Sequence, residues 1–342
     1  MNNELLRQMI DERYVSVQKH PLADLFIYNY TAKAQYSNTW NEVTLQCRGL
    51  ILDASFNIVA KPFMKFFNLD ELPAEQIPDE PFEVYEKMDG SLGVLYWLND
   101  EPFIATRGSF ISSQAAHATE ILKNKYAGTF TKINRAATYL FEIVYPDNRI
   151  VVDYGNIDDL VLLAVIDNKT GADLPLSAIG FPLVKKYDGI NDFKALKSFD
   201  DASKEGFVIK FKSGLRVKIK LAEYLRLHRI VTGVSNLVIW EHLSEDRSFE
   251  DLLEKVPDEF YEWVKKTIEG LKGQYSEILA DSKSSFQQLD AGIHTNRRET
   301  AMYFQSQKYP AVLFALLDDK PVDKIIWKMI RPQYSKPFKT DE

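Results

Sequence analysis

The sequence predicts an α+β protein, in which an N-terminal domain of antiparallel sheets with flanking helices is followed by an all-helical C-terminal domain. Two observations carry this prediction. Short runs rich in β-branched and aromatic residues recur through the first 220 residues, and turn-type residues separate them. Beyond Lys220 the apolar residues recur at helical spacing instead, most clearly from Phe260 through Leu289. We therefore place one domain at residues 1–222 and the other at residues 223–342.

Each element follows from a local pattern of this kind. The strands that we predict are, in chain order, Arg48–Leu52, Ile58–Lys61, Phe82–Glu86, Ser91–Trp97, Tyr139–Val144, Leu160–Ile166, Gly206–Phe211 and Arg216–Ile219. The last two form a hairpin, because the turn residues Lys212-Ser213-Gly214 lie between them. The helices that we predict are Asn3–Val15, Ser112–Tyr126, Leu221–Thr232, Asn236–Leu243, Phe260–Leu289, Arg297–Gln307, Ala311–Leu317 and Val322–Ile330, with a further helix N-cap at Ser248.

Composition excludes several classes of protein. The 342 residues carry 42 Lys and Arg against 49 Asp and Glu, a net charge of −7, and 45% of them are apolar, which is ordinary for a folded soluble chain. The single cysteine, Cys47, excludes an internal disulfide framework and any cysteine-cluster metal site. No apolar run is long enough to span a membrane, and the charged N-terminus lacks the apolar region of a signal peptide. We therefore expect a cytoplasmic protein without a membrane partner, in the host cytoplasm if the protein is viral.

The same inventory limits the chemistry that the chain can perform. Net acidity does not exclude a nucleic-acid partner, since affinity for phosphates comes from a local basic patch. The five histidines show no metal-ligand spacing, so we treat them as structural or surface residues. No P-loop is present, so we do not expect a kinase-type or end-healing activity from this chain.

The most informative stretch is the run EKMDGSL at residues 86–92. Strands are expected on both sides of it, so Lys87 lies on a tight turn, where Gly90 can adopt backbone angles that are barred to other residues. A lysine amine is a nucleophile only when it is deprotonated, and neighbouring cations and desolvation both favour that form. The four-residue motif by itself would also fit a β-turn with a surface lysine.

Several cations elsewhere in the sequence could serve such a lysine: Arg48, Lys65, Arg107, Lys218 and Lys220. The last two alternate with apolar residues, so both project from one face of a strand. The same cations could hold phosphate oxygens. Together they predict that a lysine attacks the α-phosphate of a nucleotide while cations neutralise the charge on the phosphate and on the leaving pyrophosphate.

Seven motif blocks follow one another along the chain. They are Arg48-Gly49, Lys65-Phe66-Phe67-Asn68, Lys87-Met88-Asp89-Gly90-Ser91-Leu92, Arg107-Gly108-Ser109, Phe141-Glu142, Glu205-Gly206-Phe207-Val208-Ile209-Lys210 and Lys218-Ile219-Lys220. In this order the set resembles the nucleotidyltransferase motifs of the covalent ligase and capping-enzyme superfamily. The KxDGSL form, with CRG and KFFN upstream, resembles the phage-type RNA ligase 1 family, whose known member repairs cleaved tRNA. The resemblance covers about residues 40–225.

The resemblance implies roles for the residues of the lysine motif and its neighbours. Lys87 is the nucleophile that carries AMP, Glu86 contacts the adenine largely through its backbone, and Gly90 lets the phosphate approach. Arg107 stands where the known member has lysine; the positive charge is kept, but a guanidinium has a different geometry.

The upstream blocks have implied roles as well. Arg48 and Lys65 bind phosphate oxygens or donor RNA, and Phe67 packs near the nucleotide. From the residues alone, an extended surface lysine is the alternative for Lys65, and core packing is the interpretation that the sequence favours for Phe67. Leu163 and Val208 are candidate apolar walls for the adenine, and core packing is the alternative for both.

The downstream blocks supply carboxylates and further cations. A carboxylate inside the apolar run around Glu142 needs a partner, which a ribose hydroxyl, a metal-bound water or a buried salt bridge would provide. By resemblance, Glu205 opens the Glu205-Gly206 motif whose acid helps to organise the metal, so Glu142 and Glu205 are the candidate metal ligands. Lys218 and Lys220 would bind the α-phosphate and the pyrophosphate. The implied cofactors are ATP, with AMP held covalently on Lys87, and Mg²⁺ or Mn²⁺, which carboxylate and water oxygens suit.

We therefore predict an ATP-dependent RNA ligase that joins a 5′-phosphate RNA end to a 3′-hydroxyl RNA end, with tRNA as a candidate substrate and a monomer as the expected state. Residues 1–222 would be its adenylyltransferase domain and residues 223–342 an element that selects the RNA. Two rivals stay open: a DNA ligase or capping guanylyltransferase, and a non-catalytic nucleotide- or RNA-binding module. The first rival usually continues into a small barrel of strands, whereas this sequence becomes helical.

Overall fold

A computed structural model describes residues 1–177, 179–199, 201, 203–233, 235–248, 252–253, 256, 261–291 and 296–333. The chain forms two compact units, Met1–Val231 and Thr232–Glu342. The described part of the first unit contains the sheets and that of the second unit contains helices, so the predicted α+β class is confirmed. The boundary falls near the end of the helix that begins at Ala222, because Leu221 and Tyr224 are buried in a core cluster of the first unit.

The elements have the following bounds. The strands are β1 (Val15–Lys19), β2 (Leu25–Tyr30), β3 (Arg48–Asp53), β4 (Ile58–Ala60), β5 (Phe67–Asn68), β6 (Phe82–Lys87), β7 (Ser91–Leu98), β8 (Glu101–Thr106), β9 (Ala137–Val144), β10 (Asp159–Asp167), β11 (Asp173–Leu174), β12 (Lys186–Tyr187), β13 (Gly206–Phe211) and β14 (Arg216–Lys220). The α-helices are α1 (Asn3–Asp11), α2 (Ala32–Tyr36), α3 (Ser113–Lys125), α4 (Ala222–Thr232), α5 (Asn236–Ser244), α6 (Tyr261–Ala291), α7 (Arg297–Ser306), α8 (Pro310–Leu317) and α9 (Asp323–Met329).

Within the described residues the strands of the first unit form three sheets. Their strand orders are β1-β2-β3-β4, β11-β10-β9-β7-β8 and β12-β6-β13-β14-β5. Neighbouring strands pair antiparallel, except that β14 and β5 are parallel. The predicted hairpin of β13 and β14 is present, with Gly206 opposite Lys220. In contrast, β6 and β7 belong to different sheets, so the turn between them crosses from one sheet to the other and does not close a hairpin.

The second of these sheets is covered on both faces. Residues Tyr139, Phe141 and Ile143 of β9 pack with α3 in one core cluster, whereas Leu140 packs with strands β2 and β3 in another. All eight residues of β9 are therefore buried. Because side chains alternate along a strand, Glu142 lies on the same face as Leu140, toward the first sheet.

Several elements differ from the predicted ones. Helix α1 ends at Asp11, not at Val15, because Arg13 adopts a φ of +62° and Val15 opens β1. The strand β8 was not predicted, since Pro102 argues against a strand; β8 lies at a sheet edge, where proline is tolerated. Strands β1 and β2 were also missed, as were β5, β11 and β12, which have two residues each.

The second unit is built around one long helix. Helix α6 has 31 residues and packs against α5, α8 and α9. Ile278 of α6 is buried with Val312 of α8 and Ile326 of α9. The helix predicted to follow the N-cap at Ser248 begins at residues 249–251, which lie outside the described residues. No helix in the described part of the chain is long and apolar enough to cross a membrane.

Candidate active site

Lys87 is the last residue of β6, and the sheet places it beside the end of the hairpin. Gly206 lies opposite Lys87 on one side and opposite Lys220 on the other. Gly206 has a φ of +155°, and a Cβ there would lie 1.9 Å from the carbonyl oxygen of Ile219. Only glycine therefore fits this position, which lies between the strands that carry the two lysines.

Glu205 joins the two lysines. Its side chain is only 4% exposed, and its Oε1 lies 2.6 Å from Lys87 Nζ and 3.3 Å from Lys220 Nζ. This ion pair was not predicted from the sequence, because nothing in the local pattern indicates that residues 87 and 205 are neighbours. A carboxylate here holds both ammonium groups close together, and it is also a proton acceptor within hydrogen-bond distance of the lysine amine.

The turn that follows Lys87 is fixed by Asp89, for which no role was predicted from the sequence. Asp89 is 3% exposed. Its Oδ2 accepts the N–H groups of Val151 and Val152 at 2.8 and 2.7 Å, and its Oδ1 accepts the Tyr224 hydroxyl at 2.7 Å. The Asp89 N–H donates to the Tyr154 hydroxyl at 2.8 Å. A buried carboxylate with these donors is fully compensated, so it holds the turn in one position.

Gly90 is required for space. The φ of Gly90 is not positive. A Cβ at this position would lie 2.6 Å from the Ile143 carbonyl oxygen and 3.1 Å from Glu142 Cγ. The expectation that Gly90 needs a special backbone angle is therefore wrong. The glycine instead lets the turn approach β9, where its N–H donates to Glu142 Oε1 at 2.9 Å.

Glu142 is a buried carboxylate that carries a strongly shifted pKa. Burial raises the pKa of Glu142 to about 8, and Glu205 acts in the same direction, while Lys87, Arg48 and the Gly90 N–H lower it. The carboxylate faces the same small region as Lys87 and Glu205. Within the described residues no group of three or more His, Cys, Asp and Glu side chains could hold a metal ion.

A second group of cations surrounds Tyr30. The Arg107 Nη1 donates to the Tyr30 hydroxyl at 3.4 Å, and Lys65 Nζ lies 5.7 Å from the centroid of the Tyr30 ring. Lys65 Nζ is also 5.3 Å from the ring of Trp40 and 5.2 Å from that of Phe67, which encloses it in aromatic side chains. The exposed fraction of Lys65 is 7%, so it is not an extended surface lysine. Phe67 contributes one wall of this enclosure.

Arg48 and Arg107 belong to the same region. Gly49 has a φ of +90°, and a Cβ on it would lie 3.2 Å from the Arg107 backbone, so the two arginine segments are in close contact. Burial lowers the pKa of Arg48, and its Nη1 is buried without a hydrogen-bond partner. A buried guanidinium nitrogen without an acceptor is costly, and an anionic oxygen would supply one.

The parallel pair of β14 and β5 connects the two groups of cations. Val217 lies opposite Phe67, and Lys218 lies opposite Asn68. Lys218 is 8% exposed. The strand that carries Lys218 and Lys220 therefore runs between the Lys65 enclosure and the Lys87–Glu205 pair, and the structure brings these predicted residues into one region.

The expected adenine contacts are less directly supported. The Glu86 N–H already donates to the Lys185 carbonyl oxygen at 2.9 Å, and its carboxylate accepts the Tyr187 hydroxyl at 2.8 Å. Leu163 lies where the register of β9 and β10 shifts, half-buried among apolar residues. Val208 is half-buried on β13, opposite Tyr85 and Lys218. The tyrosines at positions 30, 154 and 187 were missed, because no sequence spacing links them to the lysine motif.

The site lies partly inside a segment that matches a known family. Residues 46–181 match a family model described as RNA ligase. This segment contains Arg48, Lys65, Lys87, Arg107 and Glu142, and it ends before Glu205 and the lysines of β14.

Three curated relatives are similar in sequence. A protein of Autographa californica nuclear polyhedrosis virus, named "Putative bifunctional polynucleotide kinase/RNA ligase", is 27% identical over 285 residues, which cover 74% of this chain and 40% of that protein. A "Putative RNA ligase" of Thermovibrio ammonificans is 30% identical over 198 residues, covering 53% of this chain and 52% of the relative. The RNA ligase of Rhodothermus phage RM378 is 25% identical over 344 residues, covering 77% and 76%. The match thus spans about half or less of the length of the first two relatives.

Solved structures with lower sequence identity are also similar. A "Putative ATP-dependent DNA ligase from Aquifex aeolicus" gives a TM-score of 0.47 at 16% identity, covering 94% of this chain and 88% of that one. A mutant of the Naegleria gruberi RNA ligase with ATP and Mn gives a TM-score of 0.36 at 21% identity, covering 45% and 53%. The segment at residues 46–181, which supplies Lys87 and Glu142 to the site, is therefore similar to the RNA ligase family.

Proposed function

We propose that this chain is an ATP-dependent RNA ligase, which joins a 5′-phosphate end to a 3′-hydroxyl end through a lysyl-AMP enzyme and an RNA-adenylate. The observation that carries the proposal is the position of Lys87. Its amine lies at the end of β6 in contact with Glu205, and Lys220 contacts the same carboxylate from β14. This arrangement supports Lys87 as the nucleophile, Glu205 as the proton acceptor and Lys220 as a phosphate-binding cation.

In the first step, Lys87 Nζ forms a bond to the α-phosphorus of ATP, the bond from that phosphorus to the bridging oxygen breaks, and pyrophosphate leaves. The amine loses a proton before it attacks, and Glu205 Oε1, 2.6 Å away, is placed to accept this proton. Lys218 and Lys220 oppose the negative charge that builds on the phosphate and on the leaving group.

In the two later steps, AMP passes from Lys87 to the 5′-phosphate of one RNA end, and the 3′-hydroxyl of a second end attacks this RNA-adenylate and releases AMP. The cations around Tyr30 support these steps, since Arg48, Lys65 and Arg107 lie together beside the lysine site. The buried Arg48 nitrogen without a partner favours an anionic oxygen there.

A divalent metal ion, Mg²⁺ or Mn²⁺, fits the carboxylates of this site. Glu142 is buried and its pKa is raised to about 8, with the charge of Glu205 contributing to that shift. A divalent cation held by Glu142 and Glu205, together with water, would stabilise both carboxylates in their ionised forms. When bound, such an ion would supply Lewis-acid assistance to the phosphoryl transfer.

RNA is the substrate that the comparisons favour over DNA. Each of the three curated relatives carries RNA ligase in its name. The described chain after β14 continues as helices, whereas DNA ligases and capping enzymes usually continue into a small barrel of strands. We further propose that the helical unit selects the RNA, with a cleaved tRNA as the candidate, in a monomeric cytoplasmic enzyme.

Incubation with α-labelled ATP, followed by a denaturing gel, tests this function. The wild-type protein should become labelled with ATP and not with GTP, and Lys87→Ala should abolish the label. Lys186→Ala is the matched control, because Lys186 is an exposed lysine on the strand next to β6 and should not affect labelling. Labelling of Lys87→Ala at the wild-type level would contradict the assignment, and labelling with GTP alone would indicate a capping enzyme.

A further inference from the structure

Residues 145–154, which we call the clasp, follow β9 and lie against the turn after Lys87. The turn joins strands of two different sheets, so no ladder of backbone hydrogen bonds ties its two ends to each other. The clasp supplies hydrogen bonds at both ends of the turn instead, at Asp89 and at Ser91.

At the first end, the clasp binds the backbone and the side chain of Asp89. The Tyr154 hydroxyl accepts the Asp89 N–H at 2.8 Å. The Val151 and Val152 N–H groups donate to Asp89 Oδ2 at 2.8 and 2.7 Å. Asp89 is buried, so an unpaired N–H at this position would be costly.

At the second end, the clasp binds Ser91, the first residue of β7. The Ser91 hydroxyl donates to Asn148 Oδ1 at 3.2 Å. The amide nitrogen of the same Asn148 donates to the Ile143 carbonyl oxygen at 2.9 Å, which ties the clasp to β9. Asn148 thus connects the turn to the strand that carries Glu142.

We propose that the clasp sets the position of Lys87 for attack on the α-phosphate, with Tyr154 and Asn148 as positioning residues. The proposal rests on the proposed function, since it concerns the first chemical step of that reaction. Attack requires a nucleophile held close to its ideal geometry, and the clasp adds hydrogen bonds at both ends of the turn to those that Tyr224 and Glu142 make with it. The described contacts of Tyr154 and Asn148 do not involve the cations that would bind ATP, so these residues act on the rate and not on nucleotide affinity.

The test measures the rate of lysyl-AMP formation and the ATP concentration that gives half of this rate. Tyr154→Phe removes only the hydroxyl, and it should lower the rate at saturating ATP roughly tenfold while the half-saturating concentration stays within about twofold. Asp153→Asn is the matched control in the same segment. Asp153 is exposed and pairs with Arg149 and the Gly155 N–H, so this variant should keep the wild-type rate.

A double-mutant cycle tests the second contact. Asn148→Ala and Ser91→Ala should each lower the rate about threefold, and the double variant should be no slower than Asn148→Ala alone, because both remove the same hydrogen bond. Both residues are half-buried. This cycle therefore still tests the role of the clasp if circular dichroism shows that Tyr154→Phe is unfolded.

Joining of a pre-adenylylated RNA distinguishes a defect in the position of Lys87 from a general loss of structure, because Lys87 forms no bond in that step. The clasp variants should keep this rate within about twofold of the wild type. An equal loss in both steps, or wild-type lysyl-AMP formation in both Tyr154→Phe and Asn148→Ala, would overturn the clasp. Absence of ATP labelling in the wild-type protein would instead contradict the proposed function itself.

Discussion

Glu142 illustrates how a strand that is buried on both faces changes the chemistry of one residue. Helix α3 and the first sheet cover opposite faces of β9 and exclude water from this carboxyl group. Burial disfavours the charged form, and the pKa of Glu142 is raised to about 8. In the absence of a bound cation, the group is therefore largely protonated at pH 7 in the folded protein but ionised in the unfolded chain.

This shift predicts a pH-dependent effect of Glu142→Gln on stability. A carboxyl group whose folded pKa is raised stabilises the fold below its unfolded pKa, near 4.5, and this contribution is lost as the pH rises through about 8. Glutamine does not titrate, so the variant should gain stability relative to the wild type across this interval, by an order of a few kcal/mol. Urea unfolding in the presence of EDTA at pH 5, 7 and 9 measures the difference.

Glu83→Gln provides a control of opposite sign. The neighbouring Lys186 lowers the pKa of Glu83, so this variant should lose a little stability relative to the wild type as the pH rises past the usual carboxyl range. A stability difference between Glu142→Gln and the wild type that is the same at all three pH values would contradict the assigned shift.

At the scale of elements, β14 predicts a defect that is specific to one step. Lys218 is 8% exposed as a whole residue, and the side chain of Lys220 is 11% exposed. The strand face that carries these two lysines is therefore largely buried. Alanine at either position should slow lysyl-AMP formation about 10²-fold, the usual loss when a group that stabilises transition-state charge is removed. Joining of a pre-adenylylated RNA should be less affected.

Lys210→Ala is the matched control for these variants. Lys210 lies on the adjacent strand β13, where it pairs with Glu83 and Asp173 at 3.5 and 3.9 Å, away from Glu205. It should label at the wild-type rate. Thermal melts by circular dichroism must show that each variant is folded, because the lysines are buried; labelling of folded Lys218→Ala and Lys220→Ala within a few-fold of the wild type would disprove the phosphate-binding role.

At the scale of the whole molecule, the two compact units predict that nucleotide chemistry and RNA selection are separable. The described second unit exposes Arg297 and Arg298 on α7, and Lys324, Lys328 and Arg331 on and after α9, and these cations could contact RNA phosphates. A protein that ends after Thr232 should still label with AMP. Relative to the full chain, the truncated protein should lose more joining activity on a structured RNA than on an unstructured single strand.

Circular dichroism must first show that the truncated protein is folded. Parallel joining assays on a tRNA-like hairpin with a nick and on a plain oligonucleotide then measure the ratio of the two rates. If the folded truncation keeps the ratio of the full-length protein, the helical unit is not the element that selects the RNA.

Local patterns were sufficient for much of this fold. The strands from Phe82, Ser91 and Gly206 were predicted from their residue composition and the long helix after residue 260 from its apolar spacing, and all four elements are present within two residues of the predicted bounds. Elements whose formation depends on a partner were missed. The two-residue strands β5, β11 and β12 are too short to show a period, and β8 carries a proline that only its edge position makes acceptable.

The sequence by itself determined the types of chemical group in the site and their order: a lysine before a glycine turn, carboxylates in apolar surroundings and alternating lysines on one strand. These features are local, and they depend on backbone sterics and side-chain period. Only the tertiary structure decided which groups meet. Lys87 pairs with Glu205 because β6 and β13 are adjacent, and Asp89 gains its donors because distant segments fold around the turn. Such contacts follow from long-range packing between segments, which no local pattern of residues encodes.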